Sequence, residues 1–247
     1  MTVFWEESGW ERLGPGAGRS RLPVWDCTAG LIVGERGALM VDAGSSRGEG
    51  ARLRAEARRL LAPGSAGPGV TDVTHLALTH PHFDHVLGAT AFTGAETFGA
   101  AGVDAVLVHR REELVADAVR HGLDPHEAAE AGATLLPVHH QVSGERTLDL
   151  GGVRVVLATV GPAHTAHDLV VLVPGEPAVV FCGDLVEESG EPQAGPDAVP
   201  AQWPAALDRL LELGGEDARY VPGHGAVVDA AFVRAQRDTL AARFGVS

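Results

Sequence analysis

At 247 residues, with 45% hydrophobic and 21% charged side chains, the chain has the composition of a globular protein large enough for one substantial core, and a single domain over residues 1–247 is expected. A formal net charge of -14 excludes a general electrostatic footprint for nucleic acid and disfavours an anionic membrane surface, so the expected partner is a small-molecule substrate. Every basic side chain is Arg, which excludes lysine nucleophiles, and two cysteines far apart, Cys27 and Cys182, imply no disulfide framework.

Residues 1–20 are polar and end in Gly14-Pro15-Gly16-Ala17-Gly18, which predicts a loose lead-in or flap. The start Met1-Thr2-Val3-Phe4-Trp5 has neither a basic nor an apolar leader region, and no apolar run reaches membrane-spanning length, so a cytoplasmic location is expected. Leu31–Val33 and Ala38–Val41 read as short strands, and Arg47–Leu61 as a helix with Leu53, Ala57, Leu60 and Leu61 on one face. A Gly/Pro linker follows. His75–Thr79 and Val103–Val108 read as buried strands, and Arg111–His121 and Pro125–Ala131 as surface helices. Val153–Val160, Leu169–Val173 and Ala178–Phe181 are three further strands. Glu187–Pro200 is a long loop, Trp203–Leu213 a helix, Arg219–Val221 a strand and Phe232–Phe244 a closing helix. This order predicts an α/β layered sandwich with helices outside two packed sheets.

The chemistry concentrates in His80-Pro81-His82-Phe83-Asp84-His85. In an extended chain residues 80, 82 and 84 point to one side, which brings two imidazoles and a carboxylate together, while His85 turns to the other side and serves a neighbouring ion. A chance match to this pattern is on the order of one in 10⁵ per start position. Nitrogen and oxygen donors of this kind suit Zn²⁺ best, though Fe and Mn also accept them.

At this run the sequence resembles the metallo-β-lactamase superfamily, and four further motifs agree in order: Val41-Asp42-Ala43-Gly44, Gly161-Pro162-Ala163-His164-Thr165, Phe181-Cys182-Gly183-Asp184 and Val221-Pro222-Gly223-His224-Gly225. The resemblance implies a four-layer αββα sandwich, two mixed sheets flanked by helices. It also implies two Zn²⁺ per chain. His80, His82 and His164 would hold the first, Asp84, His85 and His224 the second, and Asp184 would bridge them. Asp42 would orient a ligand histidine, or serve as a turn residue. The implied reaction is hydrolysis by a metal-bound hydroxide, with Asp84 orienting it and moving its proton. A small ester, lactone or thioester is the expected substrate.

Two departures from the family's pattern bear on specificity. Zinc β-lactamases often carry Cys where this chain has Asp184, and a substrate-binding Lys where it has Glu187; an acid there disfavours β-lactams, which remain a second alternative. His167 stands where many relatives have Gly, and either lines the pocket as a proton carrier or faces solvent. Pocket walls are expected from residues 19–27, with Trp25, and from the 187–200 loop. The first alternative is a persulfide dioxygenase-like oxidoreductase with a single iron held by two His and one Asp of this set. Oligomeric state is left open.

Overall fold

The computed structural model describes residues 3, 5, 9–62 and 69–246. Two sheets dominate. The first contains β1 (Glu11–Gly14), β2 (Ala17–Arg21), β3 (Thr28–Val33), β4 (Ala38–Val41), β5 (His75–Ala77), β6 (Glu96–Ala100) and β7 (His140–Val142), side by side in chain order. Its first four strands are antiparallel, and β4 to β7 are parallel. The second has the order β12-β11-β10-β9-β8, built from β8 (Glu145–Asp149), β9 (Arg154–Thr159), β10 (Leu169–Val173), β11 (Val179–Glu187) and β12 (Arg219–His224). Only its β11–β12 pair is parallel.

Period-two alternation sorts the side chains into layers. Along β4, Leu39 and Val41 face the second sheet, whereas Ala38 and Met40 face the helices. Along β10 and β11, Leu169, Val171, Val179 and Phe181 join Ile32, Leu39, Ala77 and Phe98 in the layer between the sheets. The sheets approach closely: a Cβ on Gly30 would lie 2.4 Å from the Phe181 ring, so only glycine fits. Outside the first sheet lie α1 (Arg47–Leu60), α2 (Phe83–Val86), α3 (Asp104–Leu107), α4 (Arg111–Arg120) and α5 (Pro125–Thr134). Outside the second lie α6 (Trp203–Gly214) and α7 (Ala230–Phe244). The result is the four-layer αββα sandwich. Among the described residues no helix is long and apolar enough to cross a membrane.

Local chemistry accounts for the helix starts. Ser46 caps α1 by accepting from the Glu49 amide, Asp124 caps α5 ahead of Pro125, and Asp229 caps α7.

Two expectations need correction, and a third falls on residues that are not described. In place of a loose lead-in, residues 11–21 form the hairpin β1–β2, and Trp5 and Trp10 are buried, with the Trp5 ring packed against Gly18. Buried Arg19 in β2 donates to the Gly225 carbonyl (2.8 Å), which ties the hairpin to the far end of the chain. The apolar run Val103–Val108 is the helical turn α3, and the strand is Glu96–Ala100 before it; a short apolar run fits a buried helix as well as a strand. The Gly/Pro linker expected after α1 lies outside the described residues over 63–68.

Candidate metal centre

The candidate ligands His80, His82, Asp84, His85, His164, Asp184 and His224 gather at one end of the two sheets. His80 and His82 follow β5. The run then coils into α2, so Asp84 and His85 leave from a helical turn and not from extended chain. This corrects the expected facing of 80, 82 and 84 to one side. The helical turn carries Asp84 towards His224 (Oδ2 to Nε2, 3.3 Å) and leaves His80 and His82 with His164 and Asp184. His164 sits in the loop between β9 and β10. Asp168 shapes that loop by accepting from the amides of Ala163 (2.9 Å) and Thr165 (3.0 Å) and from the Thr165 hydroxyl (2.8 Å). Asp184 leaves β11 just after Gly183, whose positive φ of 54° breaks the register with β12. His224 ends β12. A Cβ on Gly223 would fall 1.8 Å from Asp184 Oδ1, so the backbone passes directly behind the carboxylate.

Asp184 is the centre of the cluster. Its Oδ2 lies 3.7 Å from His80 Nε2, 3.5 Å from His164 Nε2 and 3.4 Å from His224 Nε2, and its Oδ1 lies 3.2 Å from His85 Nε2. His82 Nδ1 lies 3.0 Å from His164 Nε2. The donor atoms form two overlapping groups, His80/His82/His164/Asp184 and His85/Asp184/His224. Cys27, Asp84 and His85 form a third.

The outward nitrogen of each imidazole has an acceptor. His85 Nδ1–H donates to Asp42 Oδ2 (2.8 Å), His164 Nδ1–H to the Gln193 carbonyl (3.1 Å) and His224 Nδ1–H to the Trp25 carbonyl (2.7 Å). His82 Nε2–H donates to Asp197 Oδ2 (3.0 Å). The Thr79 hydroxyl donates to Asp42 Oδ2 (2.7 Å) and therefore accepts from His80 Nδ1–H (3.0 Å). Protons held outward leave lone pairs facing inward, the tautomers that metal ligation requires.

These residues fit a metal ion. His80 is 1% exposed, and its Nε2 and Asp184 Oδ1 are both buried without a hydrogen-bond partner. Such atoms are costly unless something fills the gap. Donors about 2.0–2.2 Å from a tetrahedral ion lie about 3.3–3.6 Å from one another, which is the spacing around Asp184.

Titration follows the same layout. Burial, with neighbouring His85, holds the His80 imidazole well below its usual range, and burial brings His164 to about 4. Burial also works against charge on His85 and His224, but the carboxylates of Asp184, Asp84 and Asp42 outweigh it at His85, and Asp184 and Asp84 outweigh it at His224. Both are raised well above the ordinary value. Burial pushes the Cys27 thiol, 3.5 Å from His85 Nδ1, up to about 12, so it stays protonated.

Above the cluster opens a cavity of about 510 Å³, lined by Trp25 and by the 187–197 loop as expected, and also by Asp117 and His121 of the α4 end. His121 carried no motif; only tertiary packing stacks it on Phe83 (5.4 Å between ring centres). Asp197, inside the long loop, was equally silent in sequence. His167 does not line this cavity. Its Nδ1 bonds the Ala101 carbonyl (3.0 Å), because the loop after His164 turns it towards Gly102. The pair His139-His140 diverges, one ring bonding Thr97 and the other Glu96.

A family model described as the metallo-beta-lactamase superfamily matches residues 22–224. The fold agrees with solved structures. A metallo-beta-lactamase from Pontibacter korlensis is 18% identical with a TM-score of 0.69, over 94% of this chain and 97% of that one. The metallo-beta-lactamase FIM-1 from Pseudomonas aeruginosa, in a mono-zinc form, is 19% identical with a TM-score of 0.68, over 100% and 98%. The chain belongs to the metallo-β-lactamase superfamily. Its His/Asp cluster is able to bind metal.

Proposed function

We propose that this protein is a zinc-dependent hydrolase of a small ester, lactone or thioester. The observation that carries the reading is the convergence of five histidines and two aspartates on one buried point, with His80 Nε2 and Asp184 Oδ1 left unpartnered there. His80, His82 and His164 would hold one Zn²⁺, Asp84, His85 and His224 a second, and Asp184 would touch both. When bound, the pair would make a nucleophile available from water near neutral pH and polarise the attacked carbonyl.

The chain's own residues do the rest. Asp84 lines the cavity and accepts the proton that water loses as its oxygen attacks the acyl carbon. The acyl–oxygen or acyl–sulfur bond then breaks, and that proton passes to the leaving group. Asp42, Thr79, Asp197 and the carbonyls of Gln193 and Trp25 keep the imidazoles aimed. Trp25 and Phe83 form an apolar wall for the substrate. Glu187 lines the same cavity and argues against a carboxylate-bearing β-lactam.

Metal analysis of protein purified without added metal, with a panel of esters, lactones and thioesters assayed with and without chelator, tests the proposal. Two zinc ions per chain and chelator-sensitive turnover are expected. One iron per chain with no hydrolysis would overturn the proposal and favour the single-iron oxidoreductase.

A further inference from the structure

We propose that the cavity selects acyl substrates carrying a cationic group, a protonated amine or a quaternary ammonium, near the scissile bond. This rests on the hydrolase reading above. The floor of the cavity carries His82, Asp84, His164, Asp184 and His224 of the cluster, so the reacting carbonyl lies there. The remainder of a substrate then runs between two walls of different chemistry.

One wall is aromatic. Trp25 meets Phe83 edge-on with 5.2 Å between ring centres, and Phe83 stacks on His121 at 5.4 Å. Asp117 lies beside His121 on this wall, the 187–197 loop adds Glu187, Glu191 and Asp197, and no Arg lines the cavity. Asp197 is engaged by His82, Asp117 lies beside Arg120 and His121, and Glu187 accepts from the Ser189 amide and hydroxyl. Among the described residues the Glu191 carboxylate has no partner. Metal loading does not reverse the sign of this field. The carboxylates of Asp42, Asp84, Asp184 and Asp197 balance two divalent cations, which leaves Glu187 and Glu191 uncompensated. Carboxylates in a cavity with an apolar aromatic wall favour an ammonium group, whose charge is drawn by Coulomb attraction while its alkyl groups pack against the rings. A substrate carboxylate in the same place would meet like charge. The formal net charge of -14 adds long-range steering of the same sign.

The test uses metal-loaded protein and three alcohols or acids of one shape: choline, its neutral isostere 3,3-dimethylbutanol, and 3,3-dimethylbutanoate. Binding is followed by calorimetry, and turnover with the thioacetyl or acetyl esters of the two alcohols. Choline is expected to bind about tenfold more tightly than the neutral isostere, with a preference that shrinks at high salt, and the cationic ester to show a similar advantage in kcat/KM. Glu191→Gln should reduce both ratios. Equal binding of choline and its isostere, tighter binding of the carboxylate, or no binding of any of the three would overturn the proposal. Choline preference without hydrolysis of any ester would sink the hydrolase reading and leave charge selection standing. Hydrolysis with no charge preference would do the reverse.

Discussion

The two sheets supply the metal cluster in different ways. The seven-stranded sheet contributes one unbroken run, from His80 to His85, whose spacing is set by the loop after β5 and the helical turn α2. The five-stranded sheet contributes His164, Asp184 and His224 from a loop and two strands far apart in the chain. The first half places donors by local conformation. The second places them by register, through the Gly183 irregularity in β11 and the close passage of Gly223 behind Asp184. A ligand in the run can be lost by changing that residue alone. A ligand in the second half can also be lost by shifting a strand that carries none.

The largest effect is expected where the halves meet. Asp184→Asn removes the charge that four histidines share, and should cost both metals and roughly 10³-fold or more in turnover. Retention of both metals by this variant would break the idea of a shared centre. Gly223→Ala tests register directly. The new methyl would overlap Asp184 Oδ1 and approach the Gly183 backbone at 2.9 Å, so the strand must move. A loss of about 2–3 kcal/mol in denaturant unfolding, together with weakened metal binding, is expected although no ligand is altered.

Smaller effects sharpen the contrast between a buried and an exposed support. Asp42→Asn disturbs buried His85 and Thr79 together, and should weaken metal binding by about 10–100-fold in a competition assay with a chelator. Asp197→Asn acts on His82 from a loop where the carboxylate is 33% exposed, and should lie at or below the weaker end of that range. If Asp197 proves the more costly of the two, the long loop governs the cluster more than the fold beneath it.

Proton uptake offers a further measure. Without metal, His85 and His224 are raised above the ordinary imidazole value. Incoming cations must displace their protons, so apparent affinity should rise with pH, and calorimetry in buffers of different ionisation enthalpy should detect proton release. Absence of proton release would show that neither ring faces the metal.

The smallest effect concerns the scaffold behind the run. Burial alone would raise the Asp72 carboxyl, but Arg54 on α1 (2.6 Å) and Arg58 (2.7 Å) hold it at about 2. A carboxyl whose folded value lies below its unfolded value stabilises above about pH 4, and that contribution is lost as pH falls towards 2. Asp72→Asn should therefore cost about 1 kcal/mol at neutral pH, in a thermal melt, and converge with the parent in acid. Metal content should not change, which separates scaffold from centre.

Much of this was legible from residue order. The run from His80, the Asp184 and His224 motifs and the apolar runs Val153–Val160, Leu169–Val173 and Ala178–Phe181 of the second sheet are local signals, because a ligand motif or a short apolar run is written into neighbouring residues. The hairpin at Glu11–Gly14 and Ala17–Arg21 was not legible, since its Gly-rich sequence resembles a loop until Trp5 and Arg19 are buried against distant partners. His121, Asp197 and Cys27 gave no signal either, and His167 left two readings open.

Sequence by itself therefore determined which donors are available, the class of ion they favour, and the layered α/β architecture that alternation enforces. Tertiary structure alone decided that Asp84 and His85 leave from a helical turn, which carbonyl or carboxylate orients each imidazole, and which charges face the substrate. The physical reason is range. Alternation and motif spacing act over a few residues, whereas each of those decisions depends on a contact between segments that only the packed sheets bring together.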